Sequence, residues 1–420
     1  GYMKKDKLSA LELLRQKQAD STLTYECISK RTGYSKRQLI RLYNQLSDNG
    51  NLQILSKHAN TGKEPVNKAD PSEIDFLIRL KKDYPAITIA QFRDIYMEDF
   101  IQNPNMAHLV LEHHLVERSP SWFRNLFIQQ GWKSPENRRP LRRDGRAIHP
   151  LRVPSPQRGM LIQIDGTPYD WFGNGEQWTL HLAVDDATSE VLAGIFMPTE
   201  RQLGYCQLLR IILLKYGIPM ALYSDKHSIF LSHKEDSLTQ FGMMMEDLGI
   251  EMIYANTSQA KGRVERYNGT VQRRLPNDIR RFKIQTYDEL NEWFNSFYIS
   301  YINKKFAFVP TDPHDAFIPL DGADISDIFT LRYERTIQND MFSLNGAYYH
   351  VMDQQNKPKH IINGTKIQIR INVFSQEAYV LRYGKKSPIK MIHSRKRKTS
   401  KMADNQKDLQ IILDQLRKDN

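Results

Sequence analysis

Hydrophobic positions along the 420-residue chain change period several times, and each change marks a different kind of element. Leu8, Leu11 and Leu14 recur at helical spacing, residues 24–30 read as a short helix, and Thr32-Gly33-Tyr34-Ser35 reads as a tight turn. Ser35 then caps a helix whose Leu39, Leu42 and Leu46 are spaced for packing, with Lys36, Arg37, Gln38, Arg41 and Asn44 on its polar side. Helix, glycine-containing turn and basic helix is the helix-turn-helix pattern, whose second helix enters the DNA major groove. The same pattern suits any small three-helix bundle with a solvated face. Residues 61–70, polar and carrying Gly62 and Pro65, predict a linker. Helical spacing resumes from Ser72 to about Gln130. Its last helix opens with Ser119-Pro120 and sets Trp122, Phe123, Leu126 and Phe127 against the polar Arg124, Asn125 and Gln129. This block is either a second, helix-turn-helix-like reader or a helical spacer.

From about residue 160 the period shortens. Residues 161–165, 178–185 and 191–198 read as three consecutive strands, separated by Gly173-Asn174-Gly175 and Ala187-Thr188-Ser189. A helix over 203–216, a strand over 221–224, a helix over 241–248 and a strand over 251–254 follow, then a long helix and another over 287–303. That order predicts an α/β, RNase H-like core: a mixed five-stranded sheet with helices on both faces. Beyond about residue 328, strands at 341–344, 347–351, 366–371 and 378–383, with turns at Asn345-Gly346 and Asn363-Gly364, predict a small β-barrel. The expected fold is multidomain. Residues 1–60 form a helix-turn-helix DNA-binding domain, 61–132 a second helical one, 133–158 a linker, 159–318 the RNase H-like core, 328–393 the barrel, and 394–420 a basic tail with a terminal helix.

Charge adds a partner to this outline. A net charge of +12 and a pI near 9.4 favour a polyanion. The stretch 133–158 is proline-rich and strongly basic, with Arg138, Arg139, Arg142 and Arg143 among its cations. It predicts an extended connector that tracks DNA phosphates. From 382 to 401 there are nine Lys/Arg and no acid, an arm for phosphates or a solubilising terminus. Two cysteines, Cys27 and Cys206, exclude a disulfide framework and a cysteine-rich zinc site. His108, His113 and His114 lack the cysteine partners of a zinc knuckle and are expected to pack or face solvent. No run approaches the ~18 apolar residues of a membrane span, and no signal-peptide core is visible. A soluble, reducing, intracellular setting without membrane contact is the expectation.

Candidate chemistry rests on three acids. Asp165 ends the first core strand, Asp225 follows the fourth, and Glu265 lies on the long helix, with 59 and 39 residues between them. Two strand-end aspartates and a helical glutamate are the layout of metal-dependent polynucleotidyl transferases. Two divalent ions ~3.5–4 Å apart activate the attacking oxygen and stabilise the leaving one. Two Mg²⁺ ions, for which Mn²⁺ can substitute, would be bridged by Asp165 and completed by Asp225 and Glu265. Asp185 and Asp186 are rival carboxylates, better suited to shaping a hairpin through side-chain to backbone bonds. Asp170 reads as a loop residue, and His227 as a residue lining the site.

Gln163-Ile164-Asp165-Gly166-Thr167, Ser224-Asp225-Lys226-His227-Ser228-Ile229-Phe230 and Lys261-Gly262-Arg263-Val264-Glu265-Arg266-Tyr267-Asn268 resemble, in order, the three acidic motifs of one family. That family is the DDE transposases of bacterial insertion sequences, whose catalytic core is of the retroviral integrase type. The resemblance covers about residues 155–315. It departs at Lys226-His227, where Asn-Gly is common, and in a slightly long final spacing. It implies binding of terminal inverted repeats, hydrolysis at the element's ends, and transfer of a 3′-hydroxyl to target double-stranded DNA without a covalent protein–DNA intermediate. It further implies a homodimer or higher oligomer in a synaptic complex. Lys261, Arg263, Arg266, Arg273 and Arg274 would hold DNA phosphates near the metals, or else form the exposed face of a surface helix. A metal-dependent DNA nuclease without strand transfer and a catalytically inactive DNA-binding regulator are the alternatives.

Overall fold

The computed structural model describes residues 7–48, 52, 68–135, 153–225, 227, 229–230, 232, 238–254 and 262–394, with positions 262, 263, 265 and 394 in backbone only. These residues divide into two compact units, one within 1–79 and 108–115, the other within 80–107 and 116–420. Most of the expected basic linker (136–152), and the tail and terminal helix beyond Ser394, lie outside the described residues.

In the first unit, α1 (Lys7–Ala19), α2 (Tyr25–Thr32) and α3 (Lys36–Asp48) enclose Ala10, Leu11, Leu14, Ile28, Leu39, Leu42 and Leu46. Leu8 is left largely exposed, and Ala10 takes the inward place that a strict Leu8-Leu11-Leu14 stripe would assign it. α2 ends on Gly33 at φ +71°, the left-handed region a glycine enters without strain, and the Gly33 N–H closes onto the Ser29 carbonyl. α4 (Pro71–Asp83) begins in this unit, and α6 (Ala107–Glu112) contributes its residues from His108 onward.

The unit boundary thus falls inside the second helical block, not at its expected edges. α5 (Ile89–Tyr96), a π-helical turn (Met97–Ile101) and α7 (Pro120–Gln129) belong with the core. Phe92 of α5 meets Phe123, Phe127 and Trp132 edge-on.

Five strands build the core sheet: β1 (Leu161–Tyr169), β2 (Trp178–Asp185), β3 (Val191–Met197), β4 (Ala221–Ser224) and β5 (Glu251–Tyr254). Their order is β3-β2-β1-β4-β5, with β1–β2 and β2–β3 antiparallel and β1–β4 and β4–β5 parallel. The mixed sheet expected from the sequence is therefore present, with β1 at its centre. α8 (Gln202–Lys215) and α9 (Gln240–Leu248) pack with Ile162 and Ile164 on one face. The other face, carrying Leu180, Leu182 and Val184, is covered by α10 (Gly262–Arg281), α11 (Tyr287–Trp293), a π-helical turn (Phe294–Tyr298) and α12 (Ile299–Phe306). An edge strand such as β3 exposes a row of backbone groups that invites pairing with another chain. Here three asparagine amides occupy that row. Asn303, Asn295 and Asn291 each accept from and donate to the backbone of Val191, Gly194 and Phe196 respectively, at 2.7–3.1 Å.

Downstream stand β6 (Thr330–Thr336), β7 (Met341–Leu344), β8 (Ala347–Val351), β9 (Lys366–Asn372), β10 (Ala378–Arg382) and β11 (Lys385–Ser394). They form an antiparallel sheet in the order β6-β9-β10-β11-β8-β7. Among the described residues no ladder joins β6 to β7, so the small β-barrel expected here takes the form of an open half-barrel. Arg335 Nε bridges the gap to the Ser343 carbonyl at 3.0 Å. β11 lies within the lysine-rich stretch expected as an arm. Leu331, Ile367 and Ile369 of this sheet, and Phe329 just before β6, share one apolar core with Leu208, Leu209 and Met244 of α8 and α9. The Gln240 side chain adds a two-point bond to the Arg332 backbone, both contacts 2.8 Å.

Candidate active site

β1 and β4 run side by side in parallel register, with Gln163 opposite Tyr223. Asp165 and Asp225 each stand two residues beyond that pair. Asp165 continues β1 on the Gln163 face, and Asp225 directly follows β4, on chains spaced ~4.8 Å apart where the ladder holds. The parallel ladder stops before them while β1 continues against β2, with Asp165 opposite Leu182. Asp165 thus sits where the sheet opens, half-buried, and Asp225 is half-buried beside it.

The face bearing Gln163 and Asp165 is the one that α10 covers. Gln163 Oε1 accepts the Val264 N–H at 3.1 Å, and Asn268 Nδ2 donates to Asp165 Oδ2 at 2.8 Å. Position 265 lies between these two contacts on the same helix, and its side chain is outside the described residues.

A fourth acid, not singled out in the sequence, completes the edge from the opposite face. Gly166 packs so tightly on the loop before α8 that an added Cβ would lie 2.7 Å from Glu200 Cδ and 2.9 Å from the Tyr205 hydroxyl. Burial pushes the Glu200 carboxyl up, and the charges of Asp225 and Asp165 push the same way. The Tyr205 hydroxyl, donating to Glu200 Oε1 at 2.6 Å, and His227 oppose them. Tyr205 is itself fully buried, and that burial raises its pKa well above the ordinary value. Glu200 held no recognisable motif position. The one hint was a glycine directly after an acid, which allows another chain to approach.

His181 sets the start of α8. Its Nε2 accepts the Arg201 N–H at 3.1 Å and its Nδ1 donates to the Ile195 carbonyl at 3.1 Å, which fixes a neutral tautomer. Burial pushes its pKa down to about 4.

The rival carboxylates shape structure. Asp185, fully buried, accepts from the N–H groups of Gly159, Ala187 and Thr188 and from the Thr188 hydroxyl. Asp186 accepts from the Ser155 N–H and hydroxyl and from Gln163 Nε2. Asp170 caps the Asn174-Gly175 turn. His227 lies near Glu200, and its N–H donates to Asp225 Oδ1 at 3.1 Å.

The expected DNA contacts divide into several groups. Lys36, Arg37, Arg41 and Asn44 on α3, Arg124 on α7, and Arg266 and Arg273 on α10 are exposed. Gln38 is exposed as well, but its Oε1 is engaged: it accepts from the Ser35 N–H and hydroxyl, while the Ser35 hydroxyl oxygen accepts the Gln38 N–H, a capping box that starts α3. Arg274 departs from expectation. It is buried, and its Nη2 binds Asp94 Oδ2 at 2.9 Å, with Asp278 alongside, so it joins α10 to α5 and offers no surface to DNA. Arg138, Arg139, Arg142, Arg143 and Lys261, and the side chain of Arg263, lie outside the described residues.

A divalent cation suits the edge that Asp165 and Asp225 share. The acid donors there are carboxylate oxygens, the hard ligands of Mg²⁺ and Mn²⁺. Burial first, and then the charges of Asp225 and Asp165, raise the Glu200 pKa, a load that a cation at this edge would ease. Among the described residues no three His, Cys, Asp or Glu side chains form a metal cluster, and Glu265's side chain is not one of them.

No protein-family model matches the chain. Two curated proteins do. It is 31% identical over 340 residues to "Putative transposase y4bF" of Sinorhizobium fredii, covering 79% of this chain and 69% of that protein. It is 31% identical over 288 residues to "Transposase for insertion sequence IS1202" of Streptococcus pneumoniae, covering 60% of this chain and 58% of that one. Among solved structures, the HTLV-2 integrase catalytic core domain in complex with magnesium aligns at 20% identity and a TM-score of 0.27, over 33% of this chain and 85% of its own. The simian T-cell lymphotropic virus intasome in complex with PP2A regulatory subunit B56 gamma aligns at 13% identity and a TM-score of 0.27, over 57% of this chain and 84% of that one.

Proposed function

This chain belongs to the transposase family, and from that premise we propose that it is a DDE-type enzyme acting on the two ends of a mobile DNA element. It binds the terminal inverted repeats, cleaves a phosphodiester at each end, and joins the freed 3′-hydroxyl to target double-stranded DNA. Holding two ends together requires at least two protomers. The observation that supports this reading is the parallel pairing of β1 and β4, which Asp165 and Asp225 each follow by two residues beyond the Gln163–Tyr223 pair, with α10 fastened alongside β1.

Asp165, Asp225 and Glu265 would hold two Mg²⁺ or Mn²⁺ ions, which supply activation of the attacking oxygen and stabilisation of the leaving oxygen. The protein's own part is placement. β1 and β4 fix the two aspartates, and Asn268 orients the Asp165 carboxylate from the side. The exposed Arg266 and Arg273 of α10 provide cations for the DNA backbone, and Lys36, Arg37, Arg41 and Asn44 of α3 provide a reading face.

The test combines purified protein, Mg²⁺, a supercoiled target plasmid and a labelled, pre-cleaved duplex carrying the element's end. Joined product that disappears with Asp165→Ala is the expected result. Cutting without joining would make the enzyme a nuclease, and binding with neither would make the acidic triad idle.

A further inference from the structure

We infer that Gln163, locked in orientation by Asp186, is a positioning residue that holds the Glu265 helix in register with the Asp165 strand. The inference rests on the reading of Asp165, Asp225 and Glu265 as metal ligands. Gln163 and Asp186 are both buried, at 1% and 0% exposure. Asp186 Oδ2 is fixed by the Ser155 N–H at 2.8 Å and the Ser155 hydroxyl at 2.9 Å, which leaves Oδ1 facing Gln163 Nε2 at 2.7 Å.

An ionised carboxylate can only accept, so the Gln163 amide must turn its NH₂ toward Asp186 and its oxygen away. That oxygen meets the Val264 N–H, one of the first-turn donors of α10 that have no partner inside the helix. A negative charge relayed through an amide to a helix N-terminus also favours the helix dipole.

A second contact makes this more than a satisfied core glutamine. One turn further on, Asn268 reaches Asp165 at 2.8 Å. Residues 264 to 268 rise about 6 Å along a helix, and residues 163 to 165 advance ~6.6 Å along a strand. The two spacings match, so both bonds form together when α10 runs beside β1 in one register. Sliding the helix by a single residue, about 1.5 Å, strains both. Position 265 lies between the two ties. Its distance from Asp165 is therefore set by a glutamine and an asparagine that need touch neither metal nor DNA.

The test uses the full chain, with Mn²⁺ as the probe, followed by the paramagnetic signal of the free ion. Hydrogen exchange of peptides spanning residues 262–270 is read alongside. Gln163→Ala should speed exchange there and weaken Mn²⁺ binding about 10–100-fold, the range for residues that orient metal ligands. Gln163→Glu, which faces Asp186 with a second carboxylate, should do the same. Combining Gln163→Glu with Asp186→Asn restores a donor for every acceptor, and both readouts should return toward wild type. That exchange also covers the case in which Gln163→Ala fails to fold.

Unchanged exchange in the single variants would overturn the inference. So would a double variant that restores nothing. Faster exchange with unchanged Mn²⁺ affinity, while Asp165→Asn abolishes Mn²⁺ binding, would reduce the tie to a structural one and also overturn it. If Asp165→Asn leaves Mn²⁺ binding intact, the metal reading itself fails, and the positioning role falls with it.

Discussion

At its last turns α10 brings Arg274 and Arg281 to Asp94, Glu98, Asp99 and Asp278. At its first turns it meets Asp165, to which it donates the neutral amide of Asn268. Asp278 is fully buried and held by the Tyr298 hydroxyl at 2.8 Å, while Lys305 adds a further cation at Asp94 and Glu98. Glu98 titrates below its usual range, because bonds from Lys305, Tyr301 and Arg281 outweigh its burial. Glu200, beside Asp165, titrates above its range, since burial and neighbouring negative charge act together. The same helix thus serves two kinds of acid. Asp94, Glu98 and Asp99, matched with arginine, tie α5 and the π-helical turn after it to α10, whereas Asp165 takes a neutral amide from the same helix and Glu200 near it is raised by burial.

This contrast can be broken from either side. The largest effect belongs to the three candidate ligands: Asp165→Ala, Asp225→Ala or Glu265→Ala should abolish strand joining while binding of the labelled end persists. Full metal-dependent joining by Glu265→Ala would remove that residue from the site. At the matched end, Arg274→Met takes the 2.9 Å partner from Asp94 and leaves buried Asp278 with the Tyr298 hydroxyl and the more distant Arg281, and should cost about 3–5 kcal/mol, read as a lower urea midpoint. A change under about 1 kcal/mol, the level of an exposed pair, would mean that the cluster is not a structural clamp.

His181 supplies a smaller, pH-dependent test. Its folded pKa of about 4 lies below the ordinary 6.5, so the unfolded chain binds the proton first. Its contribution is whole above pH 6.5 and fades by roughly 3 kcal/mol as the pH falls to about 4. Urea titrations across that window should show the loss, and His181→Gln should flatten that part of the profile. The smallest effect is expected far from the sheet. Arg37→Ala with Arg41→Ala should lower the slope of log affinity against log salt by about 0.9 for each phosphate no longer neutralised, leaving joining of pre-bound ends unchanged. An unaltered slope would take α3 out of the reading role.

The core strands were legible because buried strands are written as apolar runs: Val191 to Met197 and Ala221 to Ser224 leave little else to be. That β4, which Asp225 follows, would lie beside β1 followed from the order of those strands. The tie through Gln163 was not legible, because a polar residue within a strand gives no sign of its partner 101 positions away. Arg274 was misjudged for the same reason. On the helix alone it belongs to a basic face, and the acid that buries it lies 180 residues earlier. Asp94, Glu98 and Asp99 likewise read as a solvated surface until the helix that covers them is in place. β11 was hidden by Lys385, Lys386 and Lys390, and a register shift between Met391 and His393 breaks the alternation that would have revealed it.

The common interior of the two sheets means that the segment carrying the acids is not a separable cassette. Ending the chain near residue 320 would strip Phe329, Leu331, Ile367 and Ile369 from the flank of α8 and α9 and leave a sticky apolar wall in water. The downstream sheet is therefore part of the core segment's own packing, and any trimmed version would need that wall rebuilt with polar side chains before it could stay in solution.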